Sequence, residues 1–142
     1  MILIVNGPNL NLLDERDSKH YGTDSLEKIN STLKKLGKEL GLELVFFQSN
    51  HEGKIIDFLQ EKRKIASGVL INPGALTHYS YALRDCLELM NVPIIEVHLS
   101  DIKNREKFRS KSVIEPIAKK QISGRGKEGY YVALKLLSDE LK

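Results

Sequence analysis

Three groups of residues combine types and spacing that could move protons. Glu96, His98 and Ser100 stand at i, i+2 and i+4 in Glu96-Val97-His98-Leu99-Ser100. Alternate residues of a strand share one face, so a carboxylate sits beside an imidazole and can orient and charge-stabilise it as a general acid. An isolated His is more often structural, but two adjacent ionisable groups would be costly to bury unless they paired. Asn9, Arg16 and Tyr21 lie together in the long polar stretch Asn6–Gly22. A phenol holds its proton to about pH 10, and a guanidinium beside it favours the anion. Such a pair is either surface decoration or the material of a base, with Asn9 a turn residue or a ligand. The third group is Asn72-Pro73-Gly74-Ala75-Leu76-Thr77-His78, which puts an amide at a strand end and His78 near a helix start. Free N–H groups there suit a carboxylate or hydroxyls, unless Thr77 only caps and His78 is only exposed. Arg105 and Arg109, four apart, could clamp an anion or remain solvated.

Elements able to position these groups alternate along the chain. Ile2-Leu3-Ile4-Val5 reads as a strand covered on both faces. Asp24 and Glu27 form a capping-box pair before Leu26, Ile29, Leu33, Leu36 and Leu40, whose spacing makes one apolar helix face ended by Gly41. Leu42–Gln48 reads as the second strand. Ser49 and Glu52 form another capping box, before a helix buried through Ile55, Ile56, Phe58, Leu59 and Ile65. Gly68–Asn72 is a third strand, and a third helix starts near Thr77–Tyr79 and carries Leu83, Cys86, Leu87 and Met90. Val92–His98 is the fourth strand, with Pro93 tolerated at its start. Residues Leu99–Lys120 are irregular, with one helical turn at Arg105–Arg109. Gln121–Ser123 is a short fifth strand, and Tyr130, Ala133, Leu134, Leu137 and Leu141 mark the last helix.

This alternation predicts an α/β domain over residues 1–142: a flavodoxin-like open parallel five-stranded sheet, order 2-1-3-4-5, with helices on both faces. Ligands bind beyond the carboxyl ends of such strands, where the strand order reverses. That rule selects the three segments that carry the groups above. Asp85 stands apart: seven residues beyond His78, it would lie about 10.5 Å along one helix. It is therefore either a surface charge or a group reaching across a subunit interface.

Composition narrows the function classes. Over 142 residues, 41% hydrophobic and 29% charged, with a net charge of +3, the chain suits a globular fold and an anionic small molecule. Its lysines are too scattered for a nucleic-acid footprint. No apolar run approaches a membrane span and no signal peptide is recognisable. The single Cys86 fits a reducing compartment, so the cytoplasm is the expected location. Gly124-Arg125-Gly126-Lys127-Glu128-Gly129 has dinucleotide-fingerprint spacing but lacks the following strand and acidic ribose ligand. A tight turn and close helix packing explain it better. His20, His51, His78 and His98 are widely separated with no Cys pair, so no metal is expected.

Taken in order, Asn6–Leu13, Arg16, Tyr21-Gly22, Asn72–His78, Glu96–Ser100, Arg105–Arg109 and Gly124–Tyr130 closely resemble type II 3-dehydroquinate dehydratase. The resemblance implies a cofactor-free hydro-lyase of the shikimate route to aromatic amino acids. It would convert 3-dehydroquinate to 3-dehydroshikimate by anti elimination through an enol or enolate. It further implies Tyr21 as base, Arg16 as its assistant, Asn9 holding a water at the enolate oxygen, and His98 with Glu96 as the acid. Asn72, His78, Arg109 and the backbone at Leu99–Ser100 would bind substrate. Asp85 would reach a neighbouring site within a homododecamer of trimers. Asp17-Ser18 replaces the commoner Glu-Pro, from which a looser lid is expected, and Tyr79 replaces a smaller hydroxyl residue. The alternative weighed is a non-catalytic small-molecule-binding or signalling module on the same fold. Asn6–Leu13 lacks the Ser or Thr of a flavin phosphate loop, and Asn72 stands where a receiver would place Asp.

Overall fold

The computed structural model describes residues 1–142. Five strands, β1 Ile2–Asn6, β2 Leu44–Gln48, β3 Gly68–Asn72, β4 Ile94–His98 and β5 Lys120–Ser123, pair in parallel in the expected order β2-β1-β3-β4-β5. The helices are α1 Ser18–Tyr21, α2 Leu26–Glu39, α3 Glu52–Lys62, α4 Tyr81–Met90 and α5 Glu128–Glu140. None is long and apolar enough to cross a membrane.

The period of two within the apolar strands divides the core. Ile2 and Ile4 of β1 face one layer with Ile29 and Leu33 of α2 and Leu134 and Leu137 of α5. Leu3 and Val5 face the other, with Ile55 and Leu59 of α3 and Leu83 and Leu87 of α4. Each such side chain, withdrawn completely from water, contributes roughly 1.5–3 kcal/mol. Register then levels the strand ends: Asn6 pairs with Gln48 on one side and Asn72 on the other. Three amides thereby meet where the strand order reverses.

Several expected boundaries and caps differ. The cap of α2 is Ser25, whose Oγ accepts from Lys28 N, and Asp24 instead pairs with Lys127 at 2.6 Å. The N-cap of α3 is His51, which makes no side-chain capping bond, and Glu52 accepts from Ser80 Oγ at 2.5 Å. These two carboxylates found donors elsewhere in the fold in place of the backbone N–H groups of their own turn. Ile65 lies beyond α3 and is exposed. β2 and β4 each start two residues later than expected, and β5 starts one earlier, at Lys120. The expected third helix is two elements, a 3-10 turn Gly74–His78 and then α4, capped by Ser80. The irregular stretch after β4 holds three 3-10 turns, Ile102–Asn104, Lys107–Ser110 and Glu115–Ile117. Similarly, the stretch Asn6–Gly22 is not simply an extended polar loop. It contains the 3-10 turn Leu10–Glu15 and α1, and it buries Leu10, Leu13 and Tyr21 in the core.

Close backbone approach at the reversal explains one glycine. A Cβ on Gly7 would lie 2.4 Å from Pro73 O, so the β1 and β3 exits touch there. Gly53, in α3, has open space around the same position. Gly7→Ala is expected to destabilise by about 2–3 kcal/mol. Gly53→Ala should be neutral or stabilise by up to about 1 kcal/mol. Denaturant unfolding of both variants measures the contrast.

Candidate active site

Pro73 ends β3, and its fixed φ turns the chain into the Gly74–His78 turn beside the β1 exit. This turn, the Asn9–Tyr21 segment and the residues after β4 line one cleft of about 120 Å³. Asn9, Arg16, Tyr21, Asn72, His78, His98, Leu99, Ser100 and Arg109 all border it. Asp85 does not; it is exposed on α4 and shares no helix with His78, so the expected helical separation does not apply.

Two guanidinium groups converge on one phenol. Arg16 Nη2 and Arg105 Nη1 each donate to Tyr21 Oη at 2.6 Å. Arg16 also lies over the ring, 3.7 Å from its centroid. Tyr21 is nearly buried at 9% exposure, so these charges act on its oxygen with little screening by water. Asp17 makes the geometry local: its Oδ1 accepts from Lys19 N and caps α1, the turn that ends at Tyr21. The Asp17-Ser18 pair, expected to loosen the segment, thus opens the turn that delivers the phenol.

The second ionisable pair is buried. Glu96 is fully inaccessible, and His98 Nε2 donates to its Oε2 at 2.5 Å. A carboxylate only accepts, so Nε2 carries a proton and Nδ1 is the nitrogen left free. Thr77 Oγ1 also donates to Glu96 Oε2, and Ser112 Oγ lies 3.0 Å from both carboxylate oxygens. Burial is the largest influence on Glu96 and raises its pKa. The hydrogen bond and charge of His98, with the Thr77 bond, together outweigh it and hold the carboxyl below its ordinary range.

His78 Nδ1 faces Lys111 O at 2.6 Å. A carbonyl cannot donate, so Nδ1–H donates. Burial lowers the pKa of His78; the Lys111 carbonyl opposes this, and the charges of His98 and Arg109 add to it. A neutral ring suits a hydroxyl better than it suits charge pairing with a carboxylate. Arg109 Nε holds Glu106 at 2.7 Å, which braces its guanidinium at the cleft. Asn9 adopts φ 70°, a left-handed conformation that Asn tolerates, while its N–H donates to Asn50 Oδ1 at 2.9 Å. The carbonyls of Leu99 and Ser100 accept from Gly126 and Gly124, which pins that backbone beside the cleft. Here the glycine-rich segment serves as the tight turn expected of it, with Gly124 and Gly126 at positive φ.

Sequence reasoning missed several participants. Arg105 was legible only as half of an Arg pair, and its contact with Tyr21 spans 84 residues. Thr77 reads as a cap but serves Glu96 instead, and nothing near Ser112 advertises its role.

Comparison with known proteins is consistent along the chain. The family model described as Dehydroquinase class II matches residues 1–138. A 3-dehydroquinate dehydratase of Halothermothrix orenii is 50% identical over 141 residues, 99% of this chain and 95% of that protein. One from Bacillus subtilis is 48% identical over 135 residues, covering 95% and 91% respectively. The crystal structure of a type II dehydroquinase from Butyrivibrio crossotus matches with a TM-score of 0.92 at 45% identity, over 96% of this chain and 95% of that one.

The Glu96 cluster has a consequence for stability. Its folded pKa lies below the ordinary value of about 4.3, so the ionised group stabilises the fold above about pH 4.3. That contribution is lost as pH falls through the lowered pKa. Glu96→Gln is expected to flatten the acid limb of melting temperature against pH. An acid limb as steep as the parent's would contradict this.

Proposed function

The chain belongs to the class II dehydroquinase family, and from that premise we propose how its cleft dehydrates 3-dehydroquinate to 3-dehydroshikimate. The observation that carries the reading is the pair of guanidinium donors on the Tyr21 oxygen. A proton on carbon beside a ketone is weakly acidic, so its removal needs a strong base and a stabilised enolate. Tyr21, as phenolate, takes that proton, and Arg16 and Arg105 compensate the charge before transfer. Electrons of the broken C–H bond form the enolate, and Asn9 holds a water against its oxygen.

Collapse of the enolate forms the carbon–carbon double bond and expels the β-hydroxyl. Hydroxide is a poor leaving group, so His98 gives it a proton from Nδ1 and it departs as water. Glu96 holds the ring by Nε2–H and offsets its charge while it is an imidazolium. Net, one water leaves; Tyr21 returns its proton through solvent and His98 regains one. Arg109 pairs with the substrate carboxylate. Neutral His78, Asn72 and the backbone at Leu99–Ser100 take the ring oxygens. No residue of this scheme requires a cofactor.

We further read residues 1–142 as one catalytic domain working in the cytoplasm, assembled as a homododecamer of trimers. Asp85 is exposed and outside its own cleft, so it is assigned to a neighbouring site.

Turnover of 3-dehydroquinate, followed by ultraviolet absorbance of the conjugated enone, tests the reaction; borohydride should not trap an imine. Tyr21→Phe is expected to lower kcat by roughly 10²–10⁴-fold with the melting temperature nearly unchanged, whereas near-parental kcat would remove Tyr21 from the role of base. Co-assembled Asp85→Ala and Tyr21→Phe subunits should regain part of the activity that each lacks alone. Proven mixed oligomers with no regain would count against shared sites.

A further inference from the structure

Among the buried polar groups that the mechanism leaves unused, Tyr130 lies beneath the cleft. Tyr130, in the first turn of α5, is completely inaccessible, yet its hydroxyl reaches the carboxyl ends of two strands. It donates to Asn6 Oδ1 at 2.6 Å and accepts from Asn72 Nδ2 at 2.9 Å. Asn72 borders the cleft, whereas Tyr130 and Asn6 do not. We propose that Tyr130 is a positioning residue: its hydroxyl, committed to Asn6, sets which edge of the Asn72 amide is offered to substrate.

Hydrogen-bond direction carries the inference. A hydroxyl has one proton, and Asn6 receives it. Toward Asn72 the oxygen can then only accept, so Nδ2 must face it. Asn72 Oδ1 is thereby turned to Gly74 N–H, which donates to it at 3.1 Å. A flipped amide would set oxygen against an oxygen without a proton, and N–H against N–H. Unpaired buried polar groups of this kind cost about 1–3 kcal/mol each, so a single orientation is populated. Burial also holds the Tyr130 proton in place far above the ordinary phenol range, so the relay keeps its direction at any working pH. The two phenols are thus opposites: Tyr21 faces cations at the cleft, while Tyr130 faces only amides.

The glycine segment explains how α5 comes close enough. A Cβ on Gly129 would meet Ile122 at 3.3 Å, so the helix start lies tight against β5. Tyr130 follows directly and projects toward the strand ends. Gly124-Arg125-Gly126-Lys127-Glu128-Gly129 therefore has a second use besides the Leu99–Ser100 turn.

This inference rests on Asn72 binding substrate, and a thermodynamic cycle separates the two claims. Tyr130→Phe keeps the ring and removes the oxygen. Steady-state kinetics on 3-dehydroquinate should show KM raised roughly tenfold, about 1.4 kcal/mol, with kcat within about twofold. In an Asn72→Ala background, itself raised in KM, Tyr130→Phe should add nothing further. A KM unchanged by Tyr130→Phe, an equal rise in both backgrounds, or a fall confined to kcat would each overturn the role. So would an Asn72→Ala enzyme of parental KM, which would also remove Asn72 from the binding set. If Tyr130→Phe does not fold, Asn6→Ala frees the hydroxyl to turn. It should raise KM by a similar factor although Asn6 does not border the cleft, and parental KM there overturns the proposal. Parental turnover of 3-dehydroquinate with a failed cycle dismisses Tyr130 alone. Absence of parental turnover dismisses both readings.

Discussion

A carboxylate with no solvent access, on an interior strand, is the constraint from which the rest of the site follows. Glu96 would be costly to ionise there without donors. His98, Thr77 and Ser112 supply them from three segments of the chain. Satisfying that one group draws the turn after β3, the end of β4 and the Ser112 loop to one place. It also leaves His98 with a single usable nitrogen and a fixed ring plane. The fixed setting of the His98 ring is a by-product of solving a burial problem.

The cleft holds two charge systems of opposite sense. On one side a buried anion holds an imidazole by its Nε2–H. On the other, two guanidinium groups donate to a single phenol oxygen. A single environment could not serve both, because whatever stabilises an anion disfavours a neighbouring cation. Placing the two systems on different strand exits keeps them separate, and the reversal of strand order between β1 and β3 brings those exits to one cleft. Beneath them a third, uncharged system of Asn6, Tyr130 and Asn72 ties the strand ends together by direction of hydrogen bonding alone.

Much of this was legible in the residues. The five strands and the helices between them followed from alternating apolar runs and helical periods, because each is a local pattern with a fixed repeat; their order in the sheet followed from the doubly wound fold that such alternation implies. Glu96 with His98, and Arg16 with Tyr21, are close in sequence, so backbone geometry alone nearly dictates their contact. Caps were less legible. Asp24 and Glu52 had correct spacing for capping boxes, but Lys127 and Ser80 offered bonds that spacing cannot reveal. The helix expected to begin near His78 failed for a related reason. Ser80 caps α4 later, and the Pro73-Gly74 exit folds first into a separate turn.

By itself, then, the order of residues determined the five strands, the main helices and the proximity of Glu96 to His98 and of Arg16 to Tyr21, all of which depend on short-range periodicity and steric preference. Only the folded chain decided that Arg105 joins Arg16 on one oxygen, that Thr77 and Ser112 serve Glu96, and that Tyr130 addresses Asn72. Those partners lie 84, 19, 16 and 58 residues apart. Their choice rests on which donors the packed layers happen to leave facing a buried acceptor, and no local repeat encodes that.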